Sequence, residues 1–100
     1  MSQQALAGYR VLDLGQYIAG PFCTKLLAGL GAEVIKVERP DGDPARRVGP
    51  FVKDDPNPEK GLLYLYLNTG KKGITLNLKS DTGKKVFKDL VKDADVLVEN

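Results

Sequence analysis

Apolar and polar positions first alternate along this chain, then recur at helical spacing, then alternate again. Arg10–Leu14 (RVLDL) is alternating and rich in β-branched and apolar residues, and it runs directly into Gly15, which is the pattern of a short buried strand. From Pro21 the period lengthens. Phe22, Cys23, Leu26, Leu27 and Leu30 fall on one broad helical face, Gly20 is a tolerable cap, and proline suits the first helical position. Gly31 ends this helix as a C-terminal glycine does. Glu33–Val37 (EVIKV) is the next strand, reached within a residue or two, which is the spacing of a βαβ unit.

The pattern then breaks. Residues 40–61 carry Pro40, Gly42, Pro44, Gly49, Pro50, Pro56, Pro58 and Gly61 among charges, which predicts a long irregular loop. Such a loop serves as a lid or an interface arm, or is a plain surface excursion, and the pattern leaves these open. Leu62–Leu67 is apolar and aromatic and fits a strand or a helical turn equally. Ile74–Leu78 (ITLNL) alternates cleanly as a strand. Ser80 is a good helix cap, Asp81 suits the positive end of the helix dipole, and Val86, Phe87, Leu90, Val91 and Ala94 recur at helical spacing. Asp95–Val98 supplies a fourth strand. The order β, α, β, long loop, β, α, β predicts an α/β fold, a Rossmann-like parallel sheet with flanking helices.

Composition narrows the function more by exclusion than by assertion. Apolar residues make up 42% of the 100-residue chain and charged residues 28%, ordinary values for one small globular domain. No segment approaches the roughly 18 consecutive apolar residues of a membrane span, and Met1–Tyr9 lacks the apolar core of a signal peptide, so a cytoplasmic setting is the default expectation. The net charge of +2 is too small to suggest a nucleic-acid partner. With one cysteine and no histidine, an internal disulfide, a Cys/His zinc site and a Ser-His or Cys-His dyad are all unavailable. Lys84, Lys85, Lys88 and Lys92 read as a solvated helix face, whereas Lys71, Lys72 and Lys79 lie outside it.

In open α/β sheets, ligands bind beyond the carboxyl ends of the strands. The residues there are Gly15–Gly20, Glu38 and Arg39, Lys79, and Glu99 and Asn100. The turn Gly15-Gln16-Tyr17-Ile18-Ala19-Gly20-Pro21 is bracketed by glycines and opens a helix. It is neither a Walker loop nor G-x-G-x-x-G, and it suits two readings, backbone N–H groups offered to an anion or a merely tight connection. Glu38 stands about twenty residues on, where dinucleotide-binding domains place a ribose-gripping acid. Arg39 is placed to meet a ribose phosphate, or to pair with Glu38 or Asp43. Cys23, in the first helical turn, is expected to be buried as a small hydrophobe rather than reactive. The carboxylates Asp41, Asp43, Asp54, Asp55 and Glu59 read as solvated loop charge, not a metal site.

Taken in order, RVLDL, AGPFCTKLLAGLGAEVIKVERP, LYLNTGKKGITLNLKSDTGKKVF and ADVLVEN closely resemble the amino-terminal part of family III CoA-transferases. That group includes formyl-CoA and carnitine CoA-transferases and the related α-methylacyl-CoA racemases. The most specific pieces are A-G-P-F-C-T at 19–24, G-A-E-V-I-K-V-E-R-P at 31–40, and the L-x-L-K and V-E-N blocks. Family members are several times longer and form interlocked dimers. The resemblance therefore implies that residues 1–100 are the truncated front of a CoA-binding α/β domain, homodimeric when complete. It implies transfer of CoA from an acyl-CoA to a carboxylic acid through an aspartyl-CoA thioester, on an aspartate beyond Asn100, without a metal. No catalytic residue is then expected here. Tyr17, Ile18 and Ala19 match the segment lining the CoA pocket, Arg39 a residue near the nucleotide, and Leu76, Lys79 and Asn100 positions at the adenine and phosphate end. Formyl-CoA transferases carry glutamine where Ile18 stands, and the family's N-K-R-S run appears as Gly70-Lys71-Lys72-Gly73. The rival readings are a CoA-ester racemase, a nicotinamide-dinucleotide half-domain using Glu38, and a non-catalytic structural fragment.

Overall fold

A computed structural model describes residues 4–100; the first three residues of the Met1–Tyr9 stretch read for a leader lie outside the described residues. The strands are β1 (Arg10–Asp13), β2 (Glu33–Glu38), β3 (Lys72–Thr75) and β4 (Val96–Val98), and the helices are α1 (Ala19–Gly29), α2 (Leu62–Leu67) and α3 (Asp81–Lys92). The four strands form one sheet in the order β3-β2-β1-β4. Every pairing in it is parallel, so the expected α/β architecture holds. The chain steps outward from β1 to β2 to β3 and then returns to the other side of β1. That reversal puts a topological switch point between the ends of β1 and β4.

The core is small. Val11, Ala32 and Val34 are buried on one face of the sheet, with Leu6, Leu27, Ala28 and Val98 packed against them. α1 meets β1 and β2 through Gly20, Pro21 and Thr24, which are buried, and through Leu27 and Ala28. These positions are themselves at helical spacing and share Leu27 with the stripe the sequence suggests, but the rest of that stripe is turned away from the sheet. Phe22, Leu26 and Leu30 consequently face outward, at 42%, 51% and 51% exposure. Cys23 goes with them and is exposed, which corrects its expected burial. The physical reason is that small or hydrogen-bonding residues let α1 approach the sheet closely, with the Thr24 hydroxyl 2.7 Å from Asp13 Oδ2.

One open alternative is decided, and one boundary differs from expectation. Leu62–Leu67 is helical, as α2, and residues 40–61 hold three short 3-10 turns, Pro44–Arg47, Val52–Asp54 and Pro58–Lys60. β3 runs over Lys72–Thr75 and not over Ile74–Leu78, in register with β2 from Ile35↔Lys72 to Glu38↔Thr75. Asn77 ends the alternation. Its side chain accepts the Lys79 N–H at 3.0 Å and its carbonyl accepts the Ser80 N–H at 3.2 Å, a local turn that competes with strand pairing. Ser80 then caps α3 by accepting the Gly83 N–H at 2.9 Å, as its position predicts. Among the described residues, no helix is long and apolar enough to cross a membrane.

Candidate functional site

Because β3 stops at Thr75, the segment Leu76–Lys79 leaves the ladder at the carboxyl edge of the sheet, with the Leu76 N–H still bonded to β2, to the Glu38 carbonyl at 2.9 Å. It meets Leu14 and Gln16 from the end of β1 and Val37–Asp41 from the end of β2, around an open cavity of about 480 Å³. The walls are apolar at Leu14, Val37, Leu76 and Leu78, and the cations present are Arg39 and Lys79. Arg39 pairs only loosely with Asp41, at 3.4 Å with both side chains more than half exposed. Among the described residues Lys79 makes no ion pair. Weak surface pairing leaves such cations available to a polyanion, while the apolar walls suit a flat ring.

Of the seven positions singled out from the sequence, Arg39, Leu76 and Lys79 are brought together at this cavity. Tyr17, Ile18 and Ala19 lie in the neighbouring turn from β1 into α1, with the Tyr17 and Ile18 side chains about half exposed. Asn100 sits at the switch point and grips that turn. Its Oδ1 accepts the Gln16 N–H at 2.8 Å, and its Nδ2 donates to the Gln16 carbonyl at 3.2 Å.

The turn is not an open anion cradle. The Gly15 N–H donates to Asp13 Oδ1 at 2.8 Å, the Gln16 N–H to Asn100, and the Tyr17 N–H to Asp43 Oδ1 at 3.0 Å. These three donors are spent inside the protein, so the anion-cradle reading fails for residues 15–17 and the tight-connection reading accounts for the glycines. A Cβ on Gly15 or on Gly20 would come within 2.8 Å of the other's Cα, so the two strands of the turn touch through their backbones.

Beneath the turn lie three buried acidic residues, each fully engaged. Asp13 holds Thr24 and Lys71, the latter at 2.8 Å, and Asp43 pairs with Lys36 at 2.6 Å. Burial pushes the Lys71 ammonium below the ordinary lysine value, against the pull of Asp13. Glu38 accepts four hydrogen bonds: from Arg46 Nε at 2.8 Å and Arg46 Nη2 at 2.7 Å, from the Asp43 N–H at 2.8 Å, and from the Tyr64 hydroxyl at 2.5 Å. The Arg46 guanidinium also lies 3.7 Å from the Tyr64 ring centroid. A carboxylate has about four lone-pair sites. None is left for a ribose hydroxyl, which removes the basis for the nicotinamide-dinucleotide reading.

Burial alone would push the Glu38 carboxyl up, but the hydrogen bonds from Arg46, Tyr64 and the Asp43 backbone outweigh it and hold its pKa at about 2. A folded-state value below the unfolded one means stability that is present above about pH 4.5 and lost as pH falls toward 2. Urea unfolding of the chain is expected to weaken by on the order of 2 kcal/mol across that window. In Glu38→Gln the slope there should flatten; an unchanged slope would assign the acid lability elsewhere.

Sequence reading missed this buried layer. Asp43, which the loop composition predicts to be solvated, is 2% exposed, and Lys36, inside the apolar run of β2, is 1% exposed. The available signal was a charge within a strand buried on both faces, where continuous apolar residues are the rule. Lys71, left open to function, is committed to Asp13, Asn68 and the Pro21 carbonyl. Lys72 pairs with Glu33 at 2.7 Å. Among the described residues, no group of three or more carboxylate, cysteine or histidine side chains is placed to hold a metal ion.

Comparison with known proteins agrees with the resemblance. The family model for CoA-transferase family III matches residues 6–100. The chain is 50% identical over 96 residues to the succinyl-CoA:mesaconate CoA-transferase of Haloarcula marismortui, covering 96% of this chain and 24% of that protein. It is 45% identical over 97 residues to the succinyl-CoA:(R)-benzylsuccinate CoA-transferase subunit BbsE of Thauera aromatica, covering 97% and 23% respectively. A crystal structure of a CAIB/BAIF family protein from Brucella suis superposes with a TM-score of 0.87 at 35% identity, over 99% of this chain and 26% of that one. The chain thus spans about a quarter of the length of the curated relatives it matches. Parallel sheet, strand-end cavity and a family match across nearly every residue agree: the chain belongs to CoA-transferase family III.

Proposed function

We propose that this chain is the amino-terminal CoA-binding part of a longer transferase that moves CoA from an acyl-CoA to a carboxylic acid. The observation that carries the reading is the cavity at the carboxyl ends of β1, β2 and β3, where Arg39 and Lys79 flank apolar walls. CoA carries a pyrophosphate and a ribose phosphate beside an adenine ring, and these are the chemistries that two loosely paired cations and an apolar wall attract. Tyr17, Ile18 and Ala19 would meet the thioester end, with Leu76 against the adenine. Asn100, already bonded to Gln16, would contribute mainly by holding the turn. The reading includes a homodimer and a cytoplasmic setting.

The chemistry that goes with the family needs a carboxylate nucleophile. An aspartate beyond Asn100 would attack the thioester carbonyl, expelling CoA thiolate and giving a mixed anhydride. The thiolate would attack the anhydride's aspartyl carbonyl, forming the aspartyl-CoA thioester and releasing the donor carboxylate. The acceptor carboxylate would run the same two steps in reverse, to leave as the new acyl-CoA and restore the aspartate. None of Asp81, Asp89, Asp93 and Asp95 has that role in this reading. The residues described here bind and orient the coenzyme.

Arg39→Ala and Lys79→Ala in the complete protein are each expected to weaken CoA binding about tenfold or more, the worth of a charge-assisted phosphate contact. Both side chains are exposed, so thermal unfolding should hardly move. Titration calorimetry with CoA checks the first expectation and a melting curve the second. Unchanged affinity in both variants would remove the two residues from the site. Incubation of an acyl-CoA with a carboxylate acceptor tests the reaction class, because epimerisation without acceptor-dependent exchange would move the protein to the racemase branch.

A further inference from the structure

Two buried side chains that the CoA reading leaves unused hold the turn from beneath. Lys36 Nζ lies 2.6 Å from Asp43 Oδ2 and 3.3 Å from the Gly15 carbonyl oxygen. Asp43 Oδ1 accepts the Tyr17 N–H at 3.0 Å and the Ala45 N–H at 2.9 Å, and the Asp43 N–H is itself anchored on Glu38 Oε2 at 2.8 Å. Both side chains of the pair are 1% exposed. A buried ion pair is poor evidence of added stability, since apolar residues of similar volume often do as well. What this pair does that apolar residues would not is grip two backbone groups of the turn.

Tyr17 shows why the grip matters. Its φ is +66°, in the left-handed region that a bulky side chain adopts only when its surroundings impose it. Its amide hydrogen bond runs to Asp43, 26 residues away in sequence, in the loop that follows β2. That bond ties the turn to the loop, and the half-exposed Tyr17 and Ile18 side chains are aimed by the backbone so held.

We propose that Asp43 is a positioning residue, with Lys36 as the cation that compensates its buried charge. Asp43 keeps Tyr17 left-handed, and so fixes where Tyr17 and Ile18 meet the acyl-CoA, without touching it. The inference rests on the CoA reading of the turn.

The test uses the complete protein and two double variants, neither of which leaves an unpaired buried charge. In Lys36→Met/Asp43→Asn, the asparagine Oδ1 still accepts the Tyr17 N–H; in Lys36→Met/Asp43→Leu, no acceptor remains. The first is expected to bind CoA within about threefold of the parent, and the second about tenfold or more weakly, with KM for the acyl-CoA rising accordingly. Equal affinity in the two doubles overturns the proposal, because a purely structural pair would not separate them. Should the leucine double fail to fold, residue-resolved hydrogen exchange at the Tyr17 amide of the unmodified protein decides, since the Gln16 amide is held by Asn100 instead. Slow exchange without CoA supports the clamp, and exchange at unfolded-chain rates overturns it. If the unmodified protein binds no CoA, the pocket reading fails and the proposal with it; if it binds and the doubles bind alike, only the proposal fails.

Discussion

Asp13→Ala is expected to lose about 3–5 kcal/mol of folding stability, the cost of stripping the partner from a buried charge. Asp13 is fully buried, and its two oxygens serve three donors: the Gly15 N–H, the Thr24 hydroxyl and Lys71 Nζ. Alanine would leave the Lys71 ammonium, 2% exposed, with only the Pro21 carbonyl and the Asn68 side chain as partners. Burial already holds the Lys71 pKa below its ordinary value, and loss of the carboxylate lowers it further. The unfolded state of the variant then binds more protons than the folded state, so its stability deficit should shrink as pH rises toward that of an ordinary lysine. Urea unfolding at neutral and at alkaline pH measures both effects. A neutral-pH deficit below about 1 kcal/mol would mean that the pair is not the strut described here.

Gly83→Ala is the second large effect. Gly83 is buried in the first turn of α3, where a Cβ would stand 1.8 Å from the Asn77 carbonyl oxygen and 2.7 Å from its carbon. Those are backbone atoms and cannot rotate away. Either α3 shifts or the Leu76–Lys79 segment does, at a cost of about 3 kcal/mol or more. Because that segment forms one wall of the cavity, CoA affinity should fall with stability, unlike in Lys79→Ala, where only affinity falls. A melting curve and a CoA titration on both variants separate the two patterns. A Gly83→Ala protein with parental stability would show that the turn at Asn77 is loose.

Most of the element order is legible in the sequence. The α3 cap at Ser80, the end of α1 near Gly31 and the β1 and β2 runs depend on residues within a turn or two of each other, and local chemistry sets them. The outward roll of α1 was not legible. Apolar count favoured Phe22, Cys23 and Leu26 as the inner face, yet close approach to the sheet favoured Gly20, Pro21 and Thr24, and the packing rewarded closeness. β3 was misplaced for a similar reason. Its alternation was real, but pairing with β2 and the side-chain turn at Asn77 chose which four residues entered the ladder.

The candidate site divides along the same line. Arg39 and Lys79 could be singled out because each follows a strand, and a parallel sheet sends every strand end to one edge, whereas Leu76, inside the expected strand Ile74–Leu78, came only from the family resemblance. The bonds that shape the turn beside them could not. Lys71 reaches Asp13 across 58 residues and Asn100 reaches Gln16 across 84, and nothing local announces either partner. The sequence by itself therefore determined the α/β class, the order of elements and the strand-end cations, since period, caps and punctuation act over a few residues. Only the tertiary structure decided that the Gly15 and Tyr17 amides are spent on buried carboxylates rather than offered to an anion, because a buried charge takes whichever partner the fold brings within hydrogen-bonding distance.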